Sequence, residues 1–427
     1  MTASDTHGAI EAVWRIESAR VIAGVARMVR DVGLAEELAQ DALVAALEQW
    51  PQEGLPRNPG AWLMATAKRR AIDTLRRRER FERKVTEIGR DLETRPDIGE
   101  PDLDALDDDI GDDLLRLVFT ACHPVLSAEA RVALTLRLLG GLTTPEIARA
   151  FLVPEPTIAQ RIVRAKRTLA DAKVPFEVPQ GVGLGVRLAS VLEVIYLVFN
   201  EGYSATAGDD WLRPSLCEEA LRLGRIVAEL MPKEPEVHGL VALLEIQASR
   251  AAARVDASGA PILLLDQDRA RWNQMLIGRG LAALQRAEEL DSSRGPYTLQ
   301  AAIAACHARA RTAEATDWPR IAALYAALSQ QMPSPVVELN RAVALSMAFG
   351  PATGLMLVDQ LTDEPRLKDY HLLPSVRGDL LAKLGRHDEA RAEFGRAAAL
   401  TKNERERALL LGRAAESGAN SGADPVS

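Results

Sequence analysis

The residues best suited to specific chemistry are cations and amides on one short stretch. In LTTPEIARAFLVPEPTIAQRIVRAKRTL (Leu142 to Leu169), a short helical segment, a turn and a second helical segment follow one another. This is the plan of a helix-turn-helix. Ile147 and Ala148 of the first segment, with Ile158 and Ile162 of the second, fall on the inward side. Thr157, Gln160, Arg161, Arg164, Lys166 and Arg167 are left for solvent or DNA. Arg can pair bidentately with guanine and Gln with adenine in the major groove. The plain alternative is a helical hairpin with a solvated basic face.

A second set lies earlier, in WLMATAKRRAIDTLRRRERF (Trp62 to Phe81). Ala67, Ala71, Ile72 and Leu75 give it an inward side, and Lys68, Arg69, Arg70, Arg76 and Arg77 a dense cationic face. Such a face neutralises phosphates and makes affinity fall with salt. A third set, Glu36, Glu37, Gln40 and Asp41, forms an acidic helix face. No constellation for catalysis stands beside these. The six histidines are scattered, without HExxH, and there is no GxSxG, P-loop or dinucleotide fingerprint. Cys122 and His123 are adjacent but cannot make a metal site alone. No catalytic residue, metal or cofactor is expected, and the chain reads as a non-enzyme.

The elements that must position these sets are helices. Of 427 residues, 47% are hydrophobic and only 4% aromatic, with Ala, Leu and Arg prominent. That bias predicts an all-α protein. The net charge of −8 excludes a uniformly basic coat but not a local basic patch. Three widely separated cysteines fit a reducing compartment. The N-terminal stretch, with no cation before Arg15, does not read as a signal peptide. The most apolar run, Gly181 to Phe199, is interrupted by Arg187 and Glu193, so no membrane span is expected. A cytoplasmic location follows as the expectation.

Charge divides the chain. Lys68 to Lys84 holds nine basic and three acidic residues; Asp91 to Asp113 holds eleven acids and one Arg. The second stretch reads as a solvated, self-repelling linker. The expected organisation is a first helical domain over 1–84, an acidic linker over 85–111, a second helical domain over 112–173, a helical extension over 184–413 and a disordered tail over 414–427. In the first domain the spacing predicts a helix with Ile10, Val13, Ile16, Ile22, Val25 and Val29 inward, a second over Leu34 to Trp50, and a break at Pro51 to Gly60. In the second, Ser127 and Thr144 are expected as helix caps. Leu384 to Leu400 resembles one tetratricopeptide repeat, with Gly385 in a turn, Ala390 and Ala397 small, and Phe394 between them. Gly350 matches Gly385 at an offset of 35.

The order of these motifs resembles a known family. An acidic helix, a loop, W-L-x-x-x-A-[KR]-x-[KR]-A-I-D-x-x-R-R, an acidic linker and a helix-turn-helix closing on RxxRAK are together similar to bacterial sigma factors of the extracytoplasmic-function group, with the likeness covering about residues 10–83 and 112–173. YLVFNEGY (Tyr196 to Tyr203), CHP (Cys122 to Pro124) and the repeat-like ending resemble a subgroup with a long helical, TPR-like extension. The resemblance implies core RNA polymerase (its β′ coiled coil and β subunit) and promoter DNA as partners. It implies that Glu36, Glu37 and Asp41 dock on the β′ coiled coil. Pro51 to Gly60, with Asn58, matches the loop that captures an unstacked −10 base. Trp62, Lys68, Arg69, Arg70, Arg76 and Arg77 match the surface that grips the −10 duplex. Thr157, Gln160, Arg161, Arg164, Lys166 and Arg167 match the −35 recognition helix. The acidic linker matches a segment threading toward the RNA exit path. Two positions depart from the pattern: Arg69 stands where many members have Asn, and Leu152 where a turn Gly is common. The extension is expected to regulate in cis through contact with the sigma domains or polymerase, and NEGY (Asn200 to Tyr203) to form a capped turn rather than a ligand pocket. A helix-turn-helix regulator with a helical-repeat sensor is the competing expectation; it leaves the first domain unexplained.

Overall fold

The computed structural model describes residues 3–89, 110–204, 212–256 and 259–421. Most of the acidic linker, from Asp91 to 109, lies outside them. The described residues form helices and no named strand; the sole β pairing among them is one isolated bridge, Val255 to Pro261. The chain divides into two compact units, Met1–Ile195 and Tyr196–Ser427.

Unit 1 begins with α1 (Ala3–Val29), α2 (Val32–Glu53) and α3 (Pro59–Gly89), which pack on one another. Asp31 caps α2 by accepting from the amides of Gly33 at 2.8 Å and Leu34 at 3.1 Å, a contact worth about 1 kcal/mol. Ile10, Ile22, Val25 and Val29 are buried as expected, but Ile16 is 66% exposed. The α1 stripe turns off it because Ala19, Val21, Ala23 and Ala26 carry the packing instead. The break at Pro51 is shorter than expected. α2 runs on to Glu53 although Pro51 removes one amide donor from its last turn, and stops at Gly54, whose φ of 87° lets its amide close on the Trp50 carbonyl. Asn58 caps α3, accepting from the Ala61 amide at 3.1 Å.

The second module holds α4 (Ile110–Ala121), α5 (Ala128–Leu138), α6 (Thr144–Ala150) and α7 (Glu155–Asp171). Ser127 caps α5 as expected. The cap of α6 is Thr143, one residue before the expected Thr144. Glu146 reaches back to the Thr143 amide at 2.7 Å while Thr143 receives the Glu146 amide, a reciprocal box that Thr144 could not make. Ile147, Ala148, Ile158 and Ile162 are all buried. The turn between α6 and α7 passes through Leu152 at φ 49°, so a leucine holds the left-handed conformation usually left to glycine.

Next comes α8 (Val182–Tyr203), a continuous helix whose residues to Ile195 belong to unit 1 and the rest to unit 2. It is long and apolar enough to cross a membrane by length and composition. Its polar residues are engaged with protein, however: Arg187 donates to the Phe119 carbonyl at 2.7 Å and Ser190 to the Cys122 carbonyl at 2.6 Å.

Unit 2 continues through α9 (Pro214–Leu230), α10 (Pro235–Ala248), α11 (Gln274–Leu290), α12 (Pro296–Arg309), α13 (Trp318–Gln331), α14 (Pro335–Phe349), α15 (Pro351–Gln360), α16 (Leu372–Lys383), α17 (His387–Leu400) and α18 (Glu404–Ser421). From α12 onward each helix packs on the next, giving an array of helical hairpins. Gly350 and Gly385, the pair offset by 35 residues, both take positive φ at a helix end. Ala390, Phe394 and Ala397 are buried in the core of the last hairpins, and the Phe394 ring lies where a Cβ on Gly378 would come within 3.0 Å. The tail expected to be disordered from residue 414 is helical through Ser421. Ser417 is buried, and Gly418 faces the Arg391 side chain of α17, so packing extends the helix past its polar sequence.

Candidate nucleic-acid interface

The helix-turn-helix exposes a usable face. Thr157, Gln160, Arg161, Arg164 and Thr168 of α7 line a groove of about 360 Å³ whose other wall is Val125, Leu126, Ser127 and Ala130. The buried Ile158, Ile162, Ala165 and Leu169 fix α7 from behind. Its polar residues therefore point away from the core by helical geometry alone. Lys166 and Arg167 depart from this group. Arg167 is exposed beside Asp171 at 3.5 Å, and Lys166 turns toward α2.

The basic helix α3 also splits. Arg69, Arg76 and Arg77 are exposed, and Arg70 pairs with Asp41 at 3.1 Å. Lys68 does not join the cationic face: it is 6% exposed, in the inward row with Ala67 and Ala71. Its aliphatic stem is what a buried helix row can accommodate. Trp62 packs edge-on against Trp50 with ring centroids 5.3 Å apart. Trp50 is 2% exposed and cannot meet a base, which leaves Trp62 as an aromatic near the loop over residues 54–58; the exposed Phe81 lies about 28 Å further along α3.

The acidic helix face holds the largest departure from expectation. Glu37 and Asp41 are exposed, but Glu36 is 3% exposed. It receives Arg137 Nε of α5 at 2.6 Å and Gln40 Nε2 at 2.7 Å, and Lys166 of α7 makes an ionic contact to its other oxygen. A residue expected at a protein interface and a residue expected at DNA thus neutralise each other. Two more pairs join the same modules: Arg27 of α1 with Asp113 of α4 at 3.4 Å, and Arg15 of α1 with Glu146 of α6 at 3.2 Å. The pairs of Arg137 and Arg27 across the modules carry no local sequence signal, because their partners are 86 to 101 positions away; Asp113 also pairs within α4 with Arg116 at 2.6 Å.

CHP forms the turn after α4. Burial pushes the Cys122 thiol up to about 11 while its Sγ bonds Thr135 Oγ1 at 3.3 Å, and His123 Nδ1 accepts from the Val125 amide at 3.1 Å. Arg131 of α5, 9% exposed, donates to Ser190 and, at 2.8 Å, to Glu193, both on α8. In unit 2, NEGY is not the expected capped turn between helices: it forms the last turn of α8 itself. Glu201 pairs with Arg213, Gly202 leaves room for the Cys217 amide, and Tyr203 receives Arg250 on its hydroxyl at 2.7 Å and Arg254 on its carbonyl.

A compact three-helix module with exposed arginines, joined in one unit to a helix-turn-helix, defines a helical DNA-binding protein with two modules. Known proteins give its family. Sigma-70 region 2 matches residues 15–81, Sigma-70 region 4 matches 116–169, and a family of unknown function (DUF6596) matches 187–288. The ECF RNA polymerase sigma factor SigK of Mycobacterium ulcerans (strain Agy99) is 32% identical over 160 residues, covering 36% of this chain and 79% of that one. An uncharacterized protein of Rhizobium meliloti (strain 1021) is 47% identical over 385 residues, 90% of each chain. Among solved structures, yeast Tom70 aligns at a TM-score of 0.32 and 11% identity over 99% of this chain and 88% of that one. The chain belongs to the extracytoplasmic-function sigma factors of RNA polymerase, the family that serves transcription initiation, and carries a large helical extension.

Proposed function

We propose that this chain binds core RNA polymerase in the cytoplasm, brings it to promoters and helps open them, with no catalysis of its own. The observation that carries the reading is the α7 groove, where Thr157, Gln160, Arg161 and Arg164 line one accessible face of a helix-turn-helix. That face reads the −35 element, with Lys166 and Arg167 adding phosphate contacts once the modules are engaged. Arg69, Arg70, Arg76 and Arg77 of α3 hold the −10 duplex through its phosphates, and Lys68 supports that helix from its inward row. Asn58, Trp62 and the loop beside them receive an extruded base. Each base step opened costs about 1.4 kcal/mol of stacking, and strand binding by cations and a base pocket offsets it. With Trp50 buried, the stacking surface is thin, which favours a restricted set of promoters. Glu36, Glu37 and Asp41 dock on the β′ coiled coil.

The extension regulates in cis. What supports this is α8: its first half is hydrogen-bonded into the second module through Arg131, Arg187 and Ser190, and its last residues belong to unit 2. The proposed domains are 1–84, 112–173 and 184–413, with α8 as the element that couples the last two.

The test is reconstitution. The full chain should co-elute with core polymerase and direct run-off transcription from a promoter mapped by its own overexpression; failure of both defeats the reading. Arg131→Ala should change that transcription in either direction with core binding retained. Unchanged transcription would remove the cis-regulatory part.

A further inference from the structure

At Glu36 the two modules touch through groups assigned opposite duties. We propose that Glu36, Arg137 and Lys166 form an electrostatic latch that holds the modules closed in the free chain, withholding Glu36 from polymerase and Lys166 from promoter DNA. The proposal rests on the sigma-factor reading above and adds a regulatory state to it.

Geometry makes closed and working states exclusive. The −10 and −35 elements are, by their positions, about 25 base pairs apart, on the order of 80 Å at about 3.4 Å per pair. Modules joined by ion pairs at 2.6 to 3.4 Å cannot span that distance. Twenty residues separate Gly89 of α3 from Ile110 of α4. Extended, such a length reaches roughly 70 Å, so the modules can part without either unfolding.

The chemistry suits a contact made to be exchanged. Glu36 is almost fully enclosed, whereas the Arg137 and Lys166 side chains remain 23% and 21% exposed. Opening returns these charges to water together, which offsets much of the ion-pair attraction and leaves closure favoured by only a small margin. Opening becomes favourable when each half is offered a substitute: a cationic dock for Glu36, and promoter phosphates for Lys166. Arg27–Asp113 and Arg15–Glu146 lie along the same seam and close it at two further points.

A disulfide tests the latch directly. A Cβ on Gly33 would stand 3.8 Å from Lys166 Cβ, and Cβ atoms across a disulfide average about 3.8 Å apart. The full-length Gly33→Cys, Lys166→Cys double variant should cross-link in most molecules under mild oxidation. The native thiols of Cys122 and Cys217 interfere little, since burial pushes them up to about 11 and about 12. The oxidised protein should lose core-polymerase binding at least about tenfold, and reductant should restore it. Core binding is the readout because Lys166 is assigned to DNA. No cross-link while both introduced thiols react with maleimide, or a cross-linked chain that binds core as the reduced one does, overturns the proposal. If instead the unmodified chain fails to bind core while the double variant still cross-links, closure stands and the sigma-factor reading falls. As a second arm, Arg15→Glu breaks an exposed pair with no cost to the core. It should raise the free chain's affinity for a −35 duplex by a few fold over Arg20→Glu, an exposed position that pairs with Glu17 of its own helix; equal affinities count against the latch.

Discussion

Two sets of arginines, one in each unit, serve different purposes. In unit 1, Arg27 and Arg137 face carboxylates across a seam between modules, and each remains about one-fifth exposed. In unit 2, Arg254 lies 3.5 Å over the Tyr203 ring, Arg250 sits between the rings of Tyr203 and Trp272, and Arg269 lies 4.8 Å from the Trp272 ring while donating to the carbonyls of His307 and Ala310. The first arrangement offers charge to charge, which another charged partner can replace. The second fixes guanidinium planes against aromatic faces and backbone oxygens, which no passing ion can copy. The first arrangement suits a contact that can open and the second one that persists.

The largest effect that would break this contrast is on stability. Arg254→Ala should cost about 3 kcal/mol of unit 2 stability through the lost ring contact and hydrogen bond, against about 1 kcal/mol or less for Arg137→Ala. Comparable losses in urea unfolding would show the two sets to be alike. Nearly as large is the response to acid. His307 is 7% exposed, and burial together with Arg250 and Arg269 pushes its imidazole down to about 4 from the usual 6.5. The unfolded chain takes up this proton first, so unit 2 keeps its full stability above about pH 6.5 and loses it as pH falls toward 4, by about 3 kcal/mol. His307→Gln should flatten that part of the profile; an unchanged slope would place the acid sensitivity elsewhere.

Smaller effects sharpen the comparison within unit 1. Arg161→Ala should cost roughly 1–3 kcal/mol at one −35 position and relax specificity there; equal losses on cognate and scrambled duplexes would move the reading face elsewhere. Arg76→Ala should weaken binding across sequences and lower the salt slope by about 0.9, as one phosphate contact fewer. The smallest change is Leu152→Gly. It relieves a left-handed leucine and should stabilise the second module by about 1 kcal/mol or less in thermal melts.

The individual helices were legible because their signals are local. Ser127 as a cap, Ile158 and Ile162 as the buried side of α7, and Gly385 in its turn all depend on residues within a few positions. Errors arose where packing outweighed local character. Lys68 belongs to a charge run yet lies in the inward row of α3; Ile16 belongs to an apolar stripe yet faces solvent; the polar end of the chain is helical because α17 covers it.

Order and spacing of motifs along the chain were enough to determine the family, the all-helical class and the face that α7 presents. Burial of Glu36 was decided by tertiary structure alone. Its partners Arg137 and Lys166 lie more than one hundred residues away, and a carboxylate on a polar helix face looks solvated until a second module supplies the cations that enclose it. Periodicity reports which side of a helix is wet in isolation, whereas the pairing of distant charges depends on which surfaces the folded chain brings together.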